Sequence, residues 1–126
     1  MLHIEWCTKY CFKVFSKFKY KSLIEACIRR VCFKHSFKII ALKVMPDHVH
    51  LVVKTSVSVN PSNVVQLIKG ASSYFFFRFH PKAKPRYPRG HLWSKGKFIA
   101  SIGFTDLDFT ISYVLHQEQH HSLLSH

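Results

Sequence analysis

The sequence predicts an α+β domain, an antiparallel sheet with helices packed against it. Three observations predict it. Apolar residues alternate at a period of two in some short segments and recur at helical spacing in others. These segments follow the order strand, helix, strand, strand, helix, strand, helix. The chain also has 126 residues, 48% of them hydrophobic and 12 of them Phe, which suits one compact core.

The first segment, His3 to Tyr10, is extended in character, with Ile4, Trp6 and Thr8 alternating against Glu5, Cys7 and Lys9. From about Lys19 to Lys34 the residues Leu23, Ile24, Cys27, Ile28 and Val31 fall on one helical stripe, with Arg29 and Arg30 on the other side. Phe37 to Met45 returns to strand character through Ile39, Ile40, Leu42 and Val44. Pro46-Asp47 then makes a tight turn into a strand from His48 to Lys54, so the two strands form a hairpin.

Asn60-Pro61 marks a helix start, with Asn as the cap and Pro at the first helical position. Val64, Leu67, Ile68, Ala71 and Phe75 make its buried stripe, and His80-Pro81 ends it. Pro81 to Gly96 carries Pro81, Pro85, Pro88, Gly90 and Gly96 and reads as a loop. Lys97 to Ile102 is a short strand. Thr105-Asp106-Leu107-Asp108 fits a capping box for a last helix running to about Gln119. The order is ferredoxin-like, βαββαβ with an appended C-terminal helix. Residues 1–126 show no repeat or second domain and are read as a single domain.

Nineteen Lys and Arg against six Asp and Glu give a net charge of +13 and a pI near 9.9. A basic surface of this size suits nucleic acid, because neutralised phosphates release condensed counterions. No stretch approaches the roughly 20 apolar residues of a membrane span, and no secretory signal pattern appears. The chain is therefore expected to be cytoplasmic, with no membrane partner. It has no phosphate-cradling Gly-rich motif, so no nucleotide cofactor is expected. Cys7, Cys11, Cys27 and Cys32 lack the spacing of a zinc knuckle. Cys27 lies on the first helix's apolar stripe and reads as core; the other three are unassigned.

His48-Val49-His50 is the sharpest chemical signal. On a strand, residues two apart share a face about 6.5–7 Å apart, so two imidazoles can lean onto one metal ion. Val49, Leu51 and Val53 then point to the opposite face. A polar outer surface is the plainer reading. In the last helix, at about 100° per residue, Leu107, Ile111, Val114 and Leu115 fall within one arc. Tyr113 and Gln117 lie roughly opposite, one turn apart. This suits either a solvated tyrosine or one poised beside a metal ligand. In the proline-rich loop, Lys82, Lys84, Arg86, Arg89, Lys95 and Lys97 alternate with Tyr87, His91 and Trp93. Cations there can follow a DNA backbone while aromatic faces stack on bases, with Trp93 expected to anchor the loop to the core.

Met45-Pro46-Asp47-His48-Val49-His50-Leu51-Val52-Val53 resembles the HUH motif of the single-tyrosine transposases of bacterial and archaeal insertion sequences. The resemblance extends over nearly the whole chain. It takes in Trp6-Cys7-Thr8-Lys9-Tyr10 and Val65-Gln66-Leu67-Ile68-Lys69-Gly70, then His91-Leu92-Trp93-Ser94-Lys95-Gly96 with Phe98 and Ser101-Ile102-Gly103, and finally Tyr113 and Gln117. Cys11 and Lys97 depart from it, standing where such proteins commonly have a basic and an aromatic residue.

The resemblance implies that His48, His50 and Gln117 hold a divalent metal, Mg²⁺ or Mn²⁺, and that Tyr113 is the nucleophile. It implies cleavage and rejoining of single-stranded DNA at hairpin ends through a 5′-phosphotyrosine, without ATP. It also implies a homodimer with composite active sites, His48 and His50 from one subunit and Tyr113 from the other. The helical arcs agree, since a helix docked by its apolar stripe on its own sheet would aim Tyr113 outward. Two alternatives stay open. One is a ferredoxin-like module that binds nucleic acid without cutting it, a decayed transposase; the other is a metal-dependent hydrolase with no covalent step.

Overall fold

A computed structural model describes residues 1–56, 58–87, 89–103 and 106–116. Strand β1 (Leu2–Cys7) leads through two short 3-10 turns into helix α1 (Phe18–Lys34). Strands β2 (Lys38–Val44) and β3 (His48–Lys54) follow, then helix α2 (Pro61–Phe79), strand β4 (Phe98–Ser101) and helix α3 (Leu107–Leu115). The strands form one sheet in the order β2-β3-β1-β4, with every pairing antiparallel. This is the expected α+β architecture with its C-terminal helix.

Period-two alternation gives the sheet two apolar faces. Leu2, Ile4 and Trp6 of β1 and Val49, Leu51 and Val53 of β3 join Ile24, Ile28 and Val31 of α1 and Val64, Ile68 and Phe76 of α2 in the main core. On the other face Ala41 and Val52 pack with Val114 of α3, beside Ile40, Ile102, Leu107 and Ile111. A register irregularity between Ile39 and Ala41 interrupts the β2–β3 ladder. It lets neighbouring Ile40 and Ala41 both reach the α3 cluster.

Local chemistry sets the element ends. Asn60 caps α2 by accepting a hydrogen bond from the Ser62 backbone N–H at 2.9 Å, which stabilises a helix by about 1 kcal/mol. The Met45 N–H donates to the His48 carbonyl at 2.8 Å, closing the hairpin around Pro46 and Asp47. The expected loop 81–96 contains one element that its prolines did not signal, a 3-10 helix over Pro81–Arg86. Pro at its start fixes φ without costing a hydrogen bond. Gly90 follows with φ 71, a conformation that L side chains resist. The expected cap Thr105 lies outside the described residues.

Candidate active site

The residues of interest lie on the sheet face that carries α3. With Leu2, Ile4 and Trp6 committed to the main core, His3, Glu5 and Cys7 of β1 take this face. His48 and His50 of β3 take it for the same reason. The β1–β3 register sets Glu5 opposite His50 and Cys7 opposite His48. On the other flank Lys43 of β2 is also opposite His50, and Phe98 of β4 is opposite Glu5.

His48 sits immediately after the hairpin turn. Its Nδ1 lies 2.7 Å from Asp47 Oδ1, and an Nδ1–H donating to that carboxylate leaves the lone pair on Nε2. The turn itself is tethered. The Thr8 N–H donates to the Asp47 carbonyl at 2.8 Å, and the Phe15 N–H to the Pro46 carbonyl at 3.0 Å. The His48 and His50 ring centroids are 4.9 Å apart, so the sequence-predicted pair does share a face and a neighbourhood.

His50 is fully buried. Its Nδ1 is 3.4 Å from Glu5 Oε2, and its ring stacks on His3 at a centroid distance of 6.0 Å. His3, Glu5 and His50 each offer a ligand atom, and the three atoms lie within 4.8 Å of one another. Burial holds the His3 imidazole below the usual histidine range, with the Glu5 charge pulling the other way. A neutral imidazole keeps a lone pair for a metal. The donor set of imidazoles and a carboxylate therefore fits a divalent cation on this face.

Tyr113 arrives from α3. Its ring centroid is 6.3 Å from that of His50 and 6.3 Å from that of His3, and the residue is 37% exposed. This corrects the expectation that a docked α3 would aim Tyr113 away from its own sheet. The docking stripe is narrower than the predicted arc. Leu107, Ile111 and Val114 pack on the sheet whereas Leu115 stays exposed, so the centre of the stripe turns about 20° towards Tyr113, whose ring reaches the histidines. Gln117 lies outside the described residues.

A basic groove of about 930 Å³ lies beside α2, lined in part by Lys9, Lys69, Arg78, Lys84, Lys95 and Lys97. Of the expected DNA-facing cations, Lys84, Lys95 and Lys97 line it, while Lys82, Arg86 and Arg89 are exposed outside it. Lys69 belongs to the Val65 to Gly70 stretch that carries the resemblance, but neither it nor Arg78 was expected to face DNA, although Gln66, Lys69 and Ser73 recur at helical spacing on α2. The Lys69 ammonium donates to the Ser94 carbonyl at 2.6 Å. Burial, then the neighbouring Lys97 charge, hold it below the usual lysine range, against an opposing pull from Cys7. The Ser94 N–H donates to the Cys7 carbonyl at 2.9 Å, so this loop is tied to the end of β1 beside His48.

Trp93 anchors the loop as expected. It is buried, its Nε1–H donates to Ser72 Oγ at 3.1 Å, and its ring meets Trp6 edge-on at 5.6 Å. Tyr87 does not offer a stacking face: it is 2% exposed, with its ring against Phe12 and Phe77. Among the loop aromatics His91 alone is exposed. Cys27 and Cys32 are both core residues, and Cys7 is exposed.

Residues 1–117 match the family model described as transposase IS200 like. The chain belongs to the IS200-like transposase family. It is 28% identical over 100 residues to the ISDra2 transposase TnpA of Deinococcus radiodurans, covering 79% of this chain and 71% of that protein. A crystal structure of a transposase candidate from Deinococcus radiodurans R1 superposes with a TM-score of 0.72 at 26% identity, covering 92% and 88% of the two chains. The fold is also shared with a REP-associated tyrosine transposase solved bound to a REP hairpin. There the TM-score is 0.69 at 15% identity, over 95% of this chain and 67% of that one. No helix among the described residues of this IS200-like transposase is long and apolar enough to cross a membrane.

Proposed function

We propose that this chain cleaves and rejoins single-stranded DNA, with Tyr113 as nucleophile beside a divalent cation held at His48 and His50 and completed by Gln117. The observation that carries this reading is the 6.3 Å approach of the Tyr113 ring to the buried His50 ring in a chain of a transposase family. Mg²⁺ or Mn²⁺ there would polarise the scissile phosphate and steady the leaving oxygen.

The remaining work falls to the protein. A protonated phenol is a weak nucleophile, so Tyr113 must lose its proton as it attacks. Its Oη forms the bond to phosphorus while the bond to the 3′-oxygen breaks and that oxygen gains a proton. The resulting 5′-phosphotyrosine conserves the phosphodiester's reactivity, so attack by a 3′-hydroxyl reseals the strand and frees Tyr113 without ATP. The groove lined by Lys9, Lys69, Lys84, Lys95 and Lys97 supplies positive charge for the DNA, with Lys82, Arg86 and Arg89 extending it across the exposed loop. Hairpin ends are the proposed substrate, since a structural neighbour was solved with a REP hairpin.

The placement of Tyr113 over the histidines of its own chain supports a site completed within one subunit. A homodimer with composite sites is the second reading. It is favoured by Phe109 and Leu115 of α3, which are 77% and 46% exposed and would gain cover from a partner. Exchanged helices would reuse the same docking stripe.

The test is incubation of the protein with labelled single-stranded hairpin ends and Mn²⁺, followed by a denaturing gel. A covalent protein–DNA band supports the transposase reading. DNA binding with no cut leaves the binding module, and cut DNA with no covalent band leaves the hydrolase.

A further inference from the structure

Two residues on this face have no part in the proposed reaction so far. His3 and Glu5 of β1 stand beside His50, and their donor atoms and those of His50 lie within 4.8 Å of one another. Two ligands on opposite sides of a small divalent ion are about 4.2 Å apart when each bond is about 2.1 Å. The three atoms are therefore within a small rotamer adjustment of sharing one ion.

Burial argues in the same direction. His3 is 8% exposed, and its Nε2 is buried with no hydrogen-bond partner among the described residues. Leaving a buried imidazole nitrogen unsatisfied is costly, and a bound cation would remove that cost. Glu5 is only half-buried and its carboxylate lies 3.4 Å from His50 Nδ1. That places a carboxylate beside two buried imidazoles.

We propose that Glu5 and His3 are further ligands of the catalytic cation, so that its coordination sphere spans two paired strands, β1 and β3, and is centred on His50. This rests on the metal-site reading above and deepens it. The donor set also assigns a preference. Two or three imidazoles with one carboxylate suit Mn²⁺ and other transition metals better than Mg²⁺, which favours oxygen ligands and keeps its waters.

Calorimetric titration of the full-length protein with Mn²⁺, in the absence of DNA, tests the proposal. Glu5→Gln keeps the shape and removes the charge, and should weaken Mn²⁺ binding at least tenfold with circular dichroism unchanged. His3→Gln should weaken it as well, and should lower the imidazole nitrogen couplings in the electron-spin-echo spectrum of bound Mn²⁺. Native affinity and an unaltered spectrum in both variants, with His50→Ala weakened, would overturn the role of Glu5 and His3 and leave the metal-site reading standing. Native affinity in His50→Ala as well would overturn the metal-site reading itself.

Discussion

Glu5 and His50 face each other across the β1–β3 ladder, with Oε2 and Nδ1 3.4 Å apart. One residue was visible as part of a motif, the other only as the polar half of an alternating strand. Their meeting defines the face on which Tyr113 lands.

Val114→Ala should loosen α3 from the sheet. Val114 is fully buried against Ala41 and Val52, and losing its two methyl groups should cost about 2 kcal/mol. Tyr113 is the preceding residue, so cleavage should fall while hairpin binding holds. Thermal melting with parallel cleavage and gel-shift assays checks both halves. Equal loss of binding and cleavage would mean that α3 also carries DNA contacts.

DNA affinity should fall steeply with salt. For single strands the slope of log affinity against log salt is about −0.7 per phosphate neutralised. Reversing the charge of Lys84 and Lys95, which line the groove, should flatten the slope by about one to two. Reversing Lys82 and Arg86 should flatten it less. The same effect from both pairs would show that DNA follows the whole loop rather than the groove.

Mixing His50→Ala protein with Tyr113→Phe protein separates the two arrangements of the site. With Tyr113 over the histidines of its own chain, each subunit stays dead and the mixture is inactive. Cleavage regained in a mixture with proven subunit exchange would establish composite sites and a traded α3.

Cys27 and Cys32 should resist alkylation in the native protein, while Cys7 reacts. Burial pushes both core thiols up to about 11 from an ordinary value of 9.0, with Arg30 and Arg29 respectively opposing it. The unfolded chain therefore releases these protons first. Stability should be insensitive to them below about pH 9 and should decline as pH rises towards about 11. Peptide mapping after alkylation, and urea melts across that range, check the two statements.

Much of this fold was legible because local signals agreed. The bounds of β3 follow from the Pro46-Asp47 turn and the alternation of His48 to Lys54, and Asn60-Pro61 starts α2 where capping chemistry places it. His48 and His50 were legible for the same reason: a strand period assigns them one face. His3 and Glu5 carry an equally regular alternation, but nothing local says that β1 lies next to β3. That neighbourhood is set by long-range pairing. The direction of Tyr113 was misjudged in part because Leu115 looks like a core residue in sequence yet is exposed; without it the centre of the docking stripe turns about 20° towards Tyr113. Lys69 was hidden similarly, since its role depends on Ser94 reaching it from 25 positions away.

Mass mapping of the protein–DNA adduct tests directly whether Tyr113 is the nucleophile. The protein is incubated with a single-stranded hairpin end and Mn²⁺, the DNA is digested, and the modified peptide is sequenced, with Tyr113→Phe as control. A nucleotide-bearing phosphate is expected on Tyr113, with no adduct in Tyr113→Phe and hairpin binding in that variant close to native. An adduct that persists in Tyr113→Phe, or that maps to Tyr10, Tyr74 or any other side chain, would remove Tyr113 from the role of nucleophile.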